Sequence, residues 1–188
     1  MPDLDSAKSA LLAELREHSL VIGEVTLSSG ARAEYYIDAR RALLRPAGFL
    51  AAGELVAAAA LEAGAGAVGG PVMAAIPLAC AAIAVPAGEG LVGFFVRRER
   101  KEHGLQRWVE GPVEAGSRCL VVEDTVTTGG STVDAVERIR EQGLEVAGVL
   151  AIVDRLAGGG ERIEAAAEAP FRALVTIDEI YPERPDRG

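Results

Sequence analysis

Cysteine, histidine and aromatic residues are all scarce in this chain. Of its 188 residues two are Cys and two are His, and Phe, Trp and Tyr together make up 4%. Two cysteines cannot build a disulfide framework. Cys80 and Cys119 each lie in an apolar run, so both are expected as buried free thiols in a reducing cytoplasm. With only His18 and His103, a zinc site or a Ser-His-Asp triad has almost no support. His18 suits the C-terminal end of a helix, where a cation meets the helix dipole. Long hydrophobic runs are missing too. The apolar stretch Val72 to Gly88 is interrupted by Pro77 and Pro86 and falls short of the ~20 apolar residues a membrane helix needs. The opening "MPDLDSAK" is acidic and has no apolar core, so it does not read as a secretory signal. Positive charge is in the minority, with 19 Lys and Arg against 28 Asp and Glu and a net charge of −9. A generic nucleic-acid or anionic-membrane binder would be basic, so both roles are disfavoured.

Apolar side chains are abundant, at 49% of the residues, which is too many for disorder and enough for a full-sized core. No internal repeat or Ser/Pro-rich linker appears, so residues 1–188 read as a single domain. Ser6 can cap a helix running to about His18, with Ala7, Leu11 and Leu15 on one face. The stretch "EVTLSSGARAEYYIDARRALLRP" reads as short strands around a Ser-Ser-Gly turn. Pro46 can open a helix that buries Phe49, Gly53, Val56 and Ala60. Strand-like runs follow at 67–68, 91–96, 119–123, 146–153 and 173–177. Helical patterns lie at 73–85, 131–142 and 161–168. This alternation predicts an α/β fold whose central, mostly parallel sheet is covered by helices on both faces. "GAGAVG" at 64–69 formally matches a dinucleotide fingerprint. It follows an Ala-rich helix and precedes a strand, so it reads instead as a helix C-cap and tight turn. The closing "YPERPDRG" reads as a frayed end.

The strongest chemical signal is "CLVVEDTVTTGGSTVDAVERI", residues 119–139. An apolar strand ends in two adjacent carboxylates, Glu123 and Asp124. A loop rich in Thr, Gly and Ser follows, and then an amphipathic helix with Val133, Val136 and Ile139. In open α/β sheets, ligands bind beyond the carboxyl ends of the strands. Gly129 and Gly130 let backbone approach a ligand, loop and helix N–H groups attract phosphate, and Thr127, Thr128, Ser131 and Thr132 add hydroxyls. A capped strand-turn-helix explains the glycines and hydroxyls but not the paired carboxylates. Beside a phosphate these suit sugar hydroxyls or a divalent cation. No lysine follows the glycines, so a Walker A loop is excluded.

A second signal runs against the overall charge. In "VRRERKEHGLQRWVEG", between positions 97 and 107, Arg97, Arg98, Arg100, Lys101 and Arg107 face only Glu99 and Glu102, a local +3. Alone, such a run reads as a solvated loop. Beside a phosphate site, it reads as a mobile cationic loop able to close over pyrophosphate. Trp108 is either a packing anchor for that loop or a surface aromatic. In "VLAIVDR", Arg155 follows a buried strand and suits either a salt bridge or a carboxylate ligand. Tyr35 and Tyr36 could equally be ordinary strand aromatics.

Residues 119–139 resemble the 5-phosphoribosyl-1-pyrophosphate (PRPP) motif of type I phosphoribosyltransferases. "RRERKEHG" is similar to the catalytic loop of the orotate phosphoribosyltransferases, with Arg97, Glu99, Lys101, His103 and Gly104 matching and Arg98 standing for a lysine. "TLSSGARAEYYIDAR", "VGGPVMAAIPLACAAI" and "VLAIVDR" resemble further segments of that family, so the likeness covers roughly residues 20–155. It implies the type I phosphoribosyltransferase fold, with a small hood built mainly from residues 1–45 and the C-terminal segment. It implies transfer of phosphoribosyl from PRPP to orotate in pyrimidine biosynthesis, with Mg²⁺. The alternatives are transfer to another nucleobase, or a non-catalytic PRPP-sensing regulator. Glu123 and Asp124 would hold the ribose hydroxyls, Asp124 being the one possible metal contact. The 5′-phosphate would lie in a cradle of Thr125, Val126, Thr127, Thr128, Gly129, Gly130 and Ser131. Arg97, Arg98, Lys101 and His103 would bind pyrophosphate, and Lys101, His103 and Asp124 are the catalytic candidates. Thr127, Arg155, Tyr35 and Tyr36 would meet orotate. The resemblance also implies a homodimer that shares loop 97–107 between subunits, with no nucleic-acid or membrane partner. Ser28 and residues 73–75 lack lysines that some members carry, which leaves more of the anion binding to the basic loop.

Overall fold

The computed structural model describes residues 3–26, 32–99 and 108–187. Helix α1 (Leu4–His18) buries Leu11 and Leu15. Its cap is Asp3, not Ser6. The Asp3 carboxylate accepts from the Ser6 amide at 3.2 Å and from its hydroxyl at 2.6 Å, so Ser6 lies inside the first turn. Strands β1 (Leu20–Thr26) and β2 (Arg32–Ile37) form a separate antiparallel pair. Helices α2 (Arg40–Leu43) and α3 (Pro46–Glu62) follow, with Pro46 in the first turn of α3, where a missing N–H costs nothing. The chain then alternates through β3 (Ala67–Pro71), α4 (Ala75–Ala84), β4 (Val92–Val96), the short β5 (Val109–Glu110), β6 (Arg118–Val126), α5 (Gly130–Glu141), β7 (Glu145–Asp154), α6 (Gly159–Ala167), β8 (Phe171–Thr176) and α7 (Ile177–Ile180). "GAGAVG" is the turn between α3 and β3, with Gly64 at φ +65° and the Ala65 amide bonded back to the Ala60 carbonyl.

The six-stranded sheet has the order β5-β4-β3-β6-β7-β8 and is parallel except for β5. Alternation along the strands divides the core in two. Val68, Leu120, Val122, Leu150 and Ile152 pack with α1, α3 and α4. Cys119, Val121, Val149 and Ala151 point the other way, to Val136 and Ile139 of α5 and Ile163 of α6. Both faces are therefore covered, and burying apolar area at about 25 cal/mol per Å² drives the assembly. From β3 the chain passes to β4 on one side, then returns to β6 on the other. The sheet thus changes direction between β3 and β6, the point at which such sheets open a crevice for ligands.

Two expectations fail here. Cys119 is buried, and desolvation pushes its thiol up to about 12. Cys80 is exposed, because α4 is apolar all round and only one of its faces meets the core. Nor is the C-terminal segment frayed over 181–187. Arg184 pairs with Asp178 and Asp186, each at 2.8 Å, and the Tyr35 hydroxyl donates to Asp186 at 3.0 Å. Arg16 of α1 donates two hydrogen bonds to the Glu179 carbonyl, so the two ends of the chain meet.

Candidate active site

A cleft of about 580 Å³ opens at the carboxyl ends of β3, β4, β6 and β7. β6 delivers the paired carboxylates, which take different environments although they are adjacent. Glu123 is 5% exposed. Its Oε2 accepts from the Ser131 hydroxyl at 3.2 Å and the Thr132 hydroxyl at 3.1 Å, and its Oε1 accepts from the Asp124 amide at 3.2 Å. Burial, and then the neighbouring Asp124 charge, push the Glu123 carboxyl up to about 7, against the pull of these hydrogen bonds. Glu123 thus borders the cleft and also latches the start of α5 to the end of β6. Asp124 faces the cleft. Burial raises its carboxyl above the usual range, while the Thr125 amide and Arg40 draw it back.

The loop from Thr125 to Gly129 leads into α5, whose first-turn N–H groups have no intrahelical acceptors. Gly129 caps the helix at φ +74°, and a Cβ there would meet the Gly159 carbonyl at 2.8 Å. A side chain at Gly130 would enter open space. The Thr125 hydroxyl is buried without a hydrogen-bond partner, an orphan group of the kind a ligand satisfies. Thr127 and Ser131 line the cleft. Val126 is buried and contributes only backbone, its carbonyl accepting from the Arg155 amide at 2.9 Å. The Thr128 carbonyl accepts from Arg162 at 3.4 Å.

The remaining candidates divide clearly. Arg155 lines the cleft from the end of β7, and its buried Nε has no hydrogen-bond partner. Tyr36 also lines the cleft, whereas Tyr35 is buried against Tyr181 and lies 5.5 Å beneath the Arg155 guanidinium. Arg98 borders the cleft, while Arg97 ion-pairs with Glu110 at 3.4 Å. Lys101, His103 and Ser28 lie outside the described residues.

Four cleft residues received no role from the sequence. Asp38 and Arg40 close the quoted "DAR", and Arg40 Nε lies 2.8 Å from Asp38 and 3.9 Å from Asp124. Asp134 and Arg138 continue the face of α5 that Ser131 begins, a signal visible in the i, i+3, i+7 spacing.

Residues 61–169 match the family model described as the phosphoribosyl transferase domain. The chain belongs to the phosphoribosyltransferase family. Orotate phosphoribosyltransferase of Streptomyces avermitilis is 46% identical over 179 residues, spanning 94% of this chain and 98% of that protein. The enzyme of the same name from Corynebacterium glutamicum (strain ATCC 13032) is 45% identical over 178 residues, spanning 94% and 96%. The solved orotate phosphoribosyltransferase of Mycobacterium tuberculosis, in complex with Fe(III) dicitrate, superposes with a TM-score of 0.84 at 39% identity over 93% of this chain and 98% of that one. A second structure of that enzyme, in complex with PRPP, gives 0.79 at 35% over the same shares. Within its family, then, this chain is one of the orotate phosphoribosyltransferases.

Proposed function

We propose that the protein transfers the 5-phosphoribosyl group of PRPP to orotate, giving orotidine 5′-monophosphate and pyrophosphate in pyrimidine biosynthesis. The observation that carries this reading is a single cleft holding a phosphate-type loop, a cleft-facing carboxylate and an arginine whose buried Nε has no hydrogen-bond partner. The 5′-phosphate lies in the Thr125–Ser131 cradle against the N-terminus of α5. Asp124 accepts from the ribose hydroxyls, and Glu123 holds the cradle's shape from behind. As the C1–O bond breaks, positive charge grows on the ribose and negative charge on the departing pyrophosphate. Asp124 stabilises the first electrostatically, and Arg97, Arg98, Lys101 and His103 stabilise the second. Arg155 takes the orotate carboxylate, because the guanidinium fork matches it in charge and shape. Tyr36 and Thr127 border the ring, while Tyr35 acts only by supporting Arg155.

Mg²⁺ fits this donor set. Among the described residues no group of three or more His, Cys, Asp or Glu could hold a metal alone. Asp124 offers one hard oxygen, and Mg²⁺ is commonly held by one or two carboxylates together with substrate phosphates. When bound, the ion supplies counter-charge to the pyrophosphate oxygens. No helix among the described residues is long and apolar enough to cross a membrane. Residues 1–45 and the C-terminal segment act as a hood over one phosphoribosyltransferase domain.

The direct test is to mix protein, Mg²⁺, PRPP and orotate and follow the loss of orotate absorbance. Turnover with a purine in place of orotate would overturn the assignment. In the same assay Arg155→Leu is expected to raise the orotate KM about 10- to 100-fold, the worth of one charge-assisted hydrogen bond. An unchanged KM would remove Arg155 from the base site.

The active form is a homodimer that shares loop 97–107. In support, α4 carries no charged residue, and Cys80 and Ile83 are exposed on it beside exposed Met73 at the cleft rim. An exposed apolar patch of this kind marks a protein interface. Lys101→Ala and Asp124→Asn, each nearly inactive alone, are expected to recover about a quarter of the wild-type rate when mixed and reassociated, because half the dimers are hybrids and each hybrid has one intact site. No recovery would show that the loop serves its own subunit.

A further inference from the structure

Arg138 lies on α5 within the segment that carries the phosphate signature and received no role from the sequence, yet it occupies a distinctive place. It sits seven residues beyond Ser131 on the same face of α5, about 10 Å further along the axis, and it borders the cleft. Its Nη1 donates to the Arg97 carbonyl at 2.9 Å. Its guanidinium carbon lies 4.4 Å from the centroid of the Trp108 ring. Arg97 and Trp108 are themselves paired, the Arg97 amide donating to the Trp108 carbonyl at 2.9 Å. One planar cation therefore grips both strands of the β4–β5 pair where that pair ends. Arg98, the next residue, lines the cleft.

We propose that Arg138 is a positioning residue that, by holding the Arg97 backbone, fixes Arg98 at the cleft relative to the phosphate cradle. The proposal rests on the phosphoribosyl-transfer reading above. α5 is a rigid rod whose N-terminus closes the cradle at Gly129, and Arg138 fastens the arginine pair to its third turn. The phosphate seat and Arg98, the cation that lines the same cleft, then share one frame. Such a link matters most in the transition state, where charge on the pyrophosphate grows and a misplacement of about 1 Å can cost up to 100-fold. Arginine suits the task and lysine does not. A guanidinium can lie flat on an indole while donating in its own plane, whereas an ammonium is a compact point charge. Trp108 is thereby an anchor and not an incidental surface aromatic.

Trp108 is the single tryptophan of the chain, so intrinsic fluorescence reports this contact directly. Four proteins are compared: wild type, Arg138→Met, Arg138→Lys and Trp108→Leu, together with the Arg138→Met/Trp108→Leu double variant. Arg138→Met is expected to lower kcat roughly tenfold with the PRPP KM changed less than about threefold, and to alter Trp108 emission. Arg138→Lys should recover less than about half of that loss. The double variant should be no slower than the worse single one, because both changes break the same contact. Trp108→Phe, which keeps a ring, replaces Trp108→Leu in the cycle if the latter does not fold. An unchanged kcat, a tenfold rise in PRPP KM at unchanged kcat, full rescue by lysine, or additive losses would each overturn the proposal. An inactive wild type would instead overturn the functional reading, and the emission comparison would still report on the Arg138–Trp108 contact.

Discussion

Asp124→Asn is expected to lower kcat by about 10² to 10³-fold, the usual cost of one transition-state electrostatic contact. Asn keeps the size of the side chain and can still accept from a ribose hydroxyl. It loses the negative charge that faces the developing cation at C1. The loss should therefore fall on kcat much more than on PRPP affinity measured by calorimetry. The substitution is structurally mild, because Arg40 keeps its shorter contact to Asp38 at 2.8 Å when the 3.9 Å contact to Asp124 is weakened. Burial also makes the Asp124 carboxylate costly to keep ionised, so removing its charge should leave the melting temperature unchanged or raise it. A fall in kcat of less than tenfold, or a parallel collapse in affinity, would place the transition-state charge elsewhere. Glu123 gives the contrast. It is bonded to Ser131 and Thr132, so its loss should loosen the cradle and appear first in PRPP affinity.

Gly69→Ala is expected to damage the fold severely. Gly69 lies in β3 between β4 and β6, in register with Phe94 and Val121. A Cβ there would collide with the Phe94 carbonyl oxygen and approach the Phe94 carbonyl carbon at 2.7 Å. The obstacle is backbone in the centre of the sheet, so no side-chain rotation relieves it. Overpacking of this kind costs about 3 kcal/mol, which for a chain of this size lowers Tm by roughly 6–12 °C. Gly66→Ala is the control. It lies near the same strand, a Cβ there meets nothing within 4 Å, and its Tm should move by no more than about 1–2 °C. Equal Tm for the two variants would refute the steric argument. The strain at Gly69 would also spread to the cleft, since β3 runs directly into the rim residues Val72 and Met73.

The order of elements was legible because burial leaves a periodic trace. β6 and β7 read as apolar runs, since parallel strands covered on both faces need no polar alternation. The amphipathic stripe of α5 showed through Val136 and Ile139. The two-residue β5 left no such trace: it is too short for a pattern, and its antiparallel pairing with β4 depends on where the chain returns after the basic segment. The cap of α1 was misplaced by three residues because Asp3 and Ser6 are both good caps, and only the backbone at Asp3, in the extended region at φ −78° and ψ 95°, decides between them. Cys80 was misread for a related reason. An apolar helix looks buried all round, and whether its outer face is covered depends on what packs against it.

Within the candidate site, local sequence determined the chemistry that is contiguous in the chain: two carboxylates at a strand end, a hydroxyl- and glycine-rich turn, a helix N-terminus and a basic segment. The carboxylates, the turn and the helix N-terminus follow one another directly along the backbone, so their order alone specifies a phosphate seat. Only the tertiary structure divided the work between Glu123 and Asp124, because adjacent residues on a strand point to different sides and meet different partners, Ser131 and Thr132 for one and Arg40 for the other. Only the tertiary structure brought Asp38 and Arg40, Arg138 and Arg155 to one cleft, from three places far apart in the chain. The fold also made the −9 net charge compatible with a polyphosphate ligand. Screening confines charge effects to about 8 Å at physiological salt, so the arginines at the cleft decide locally what the whole-chain total cannot.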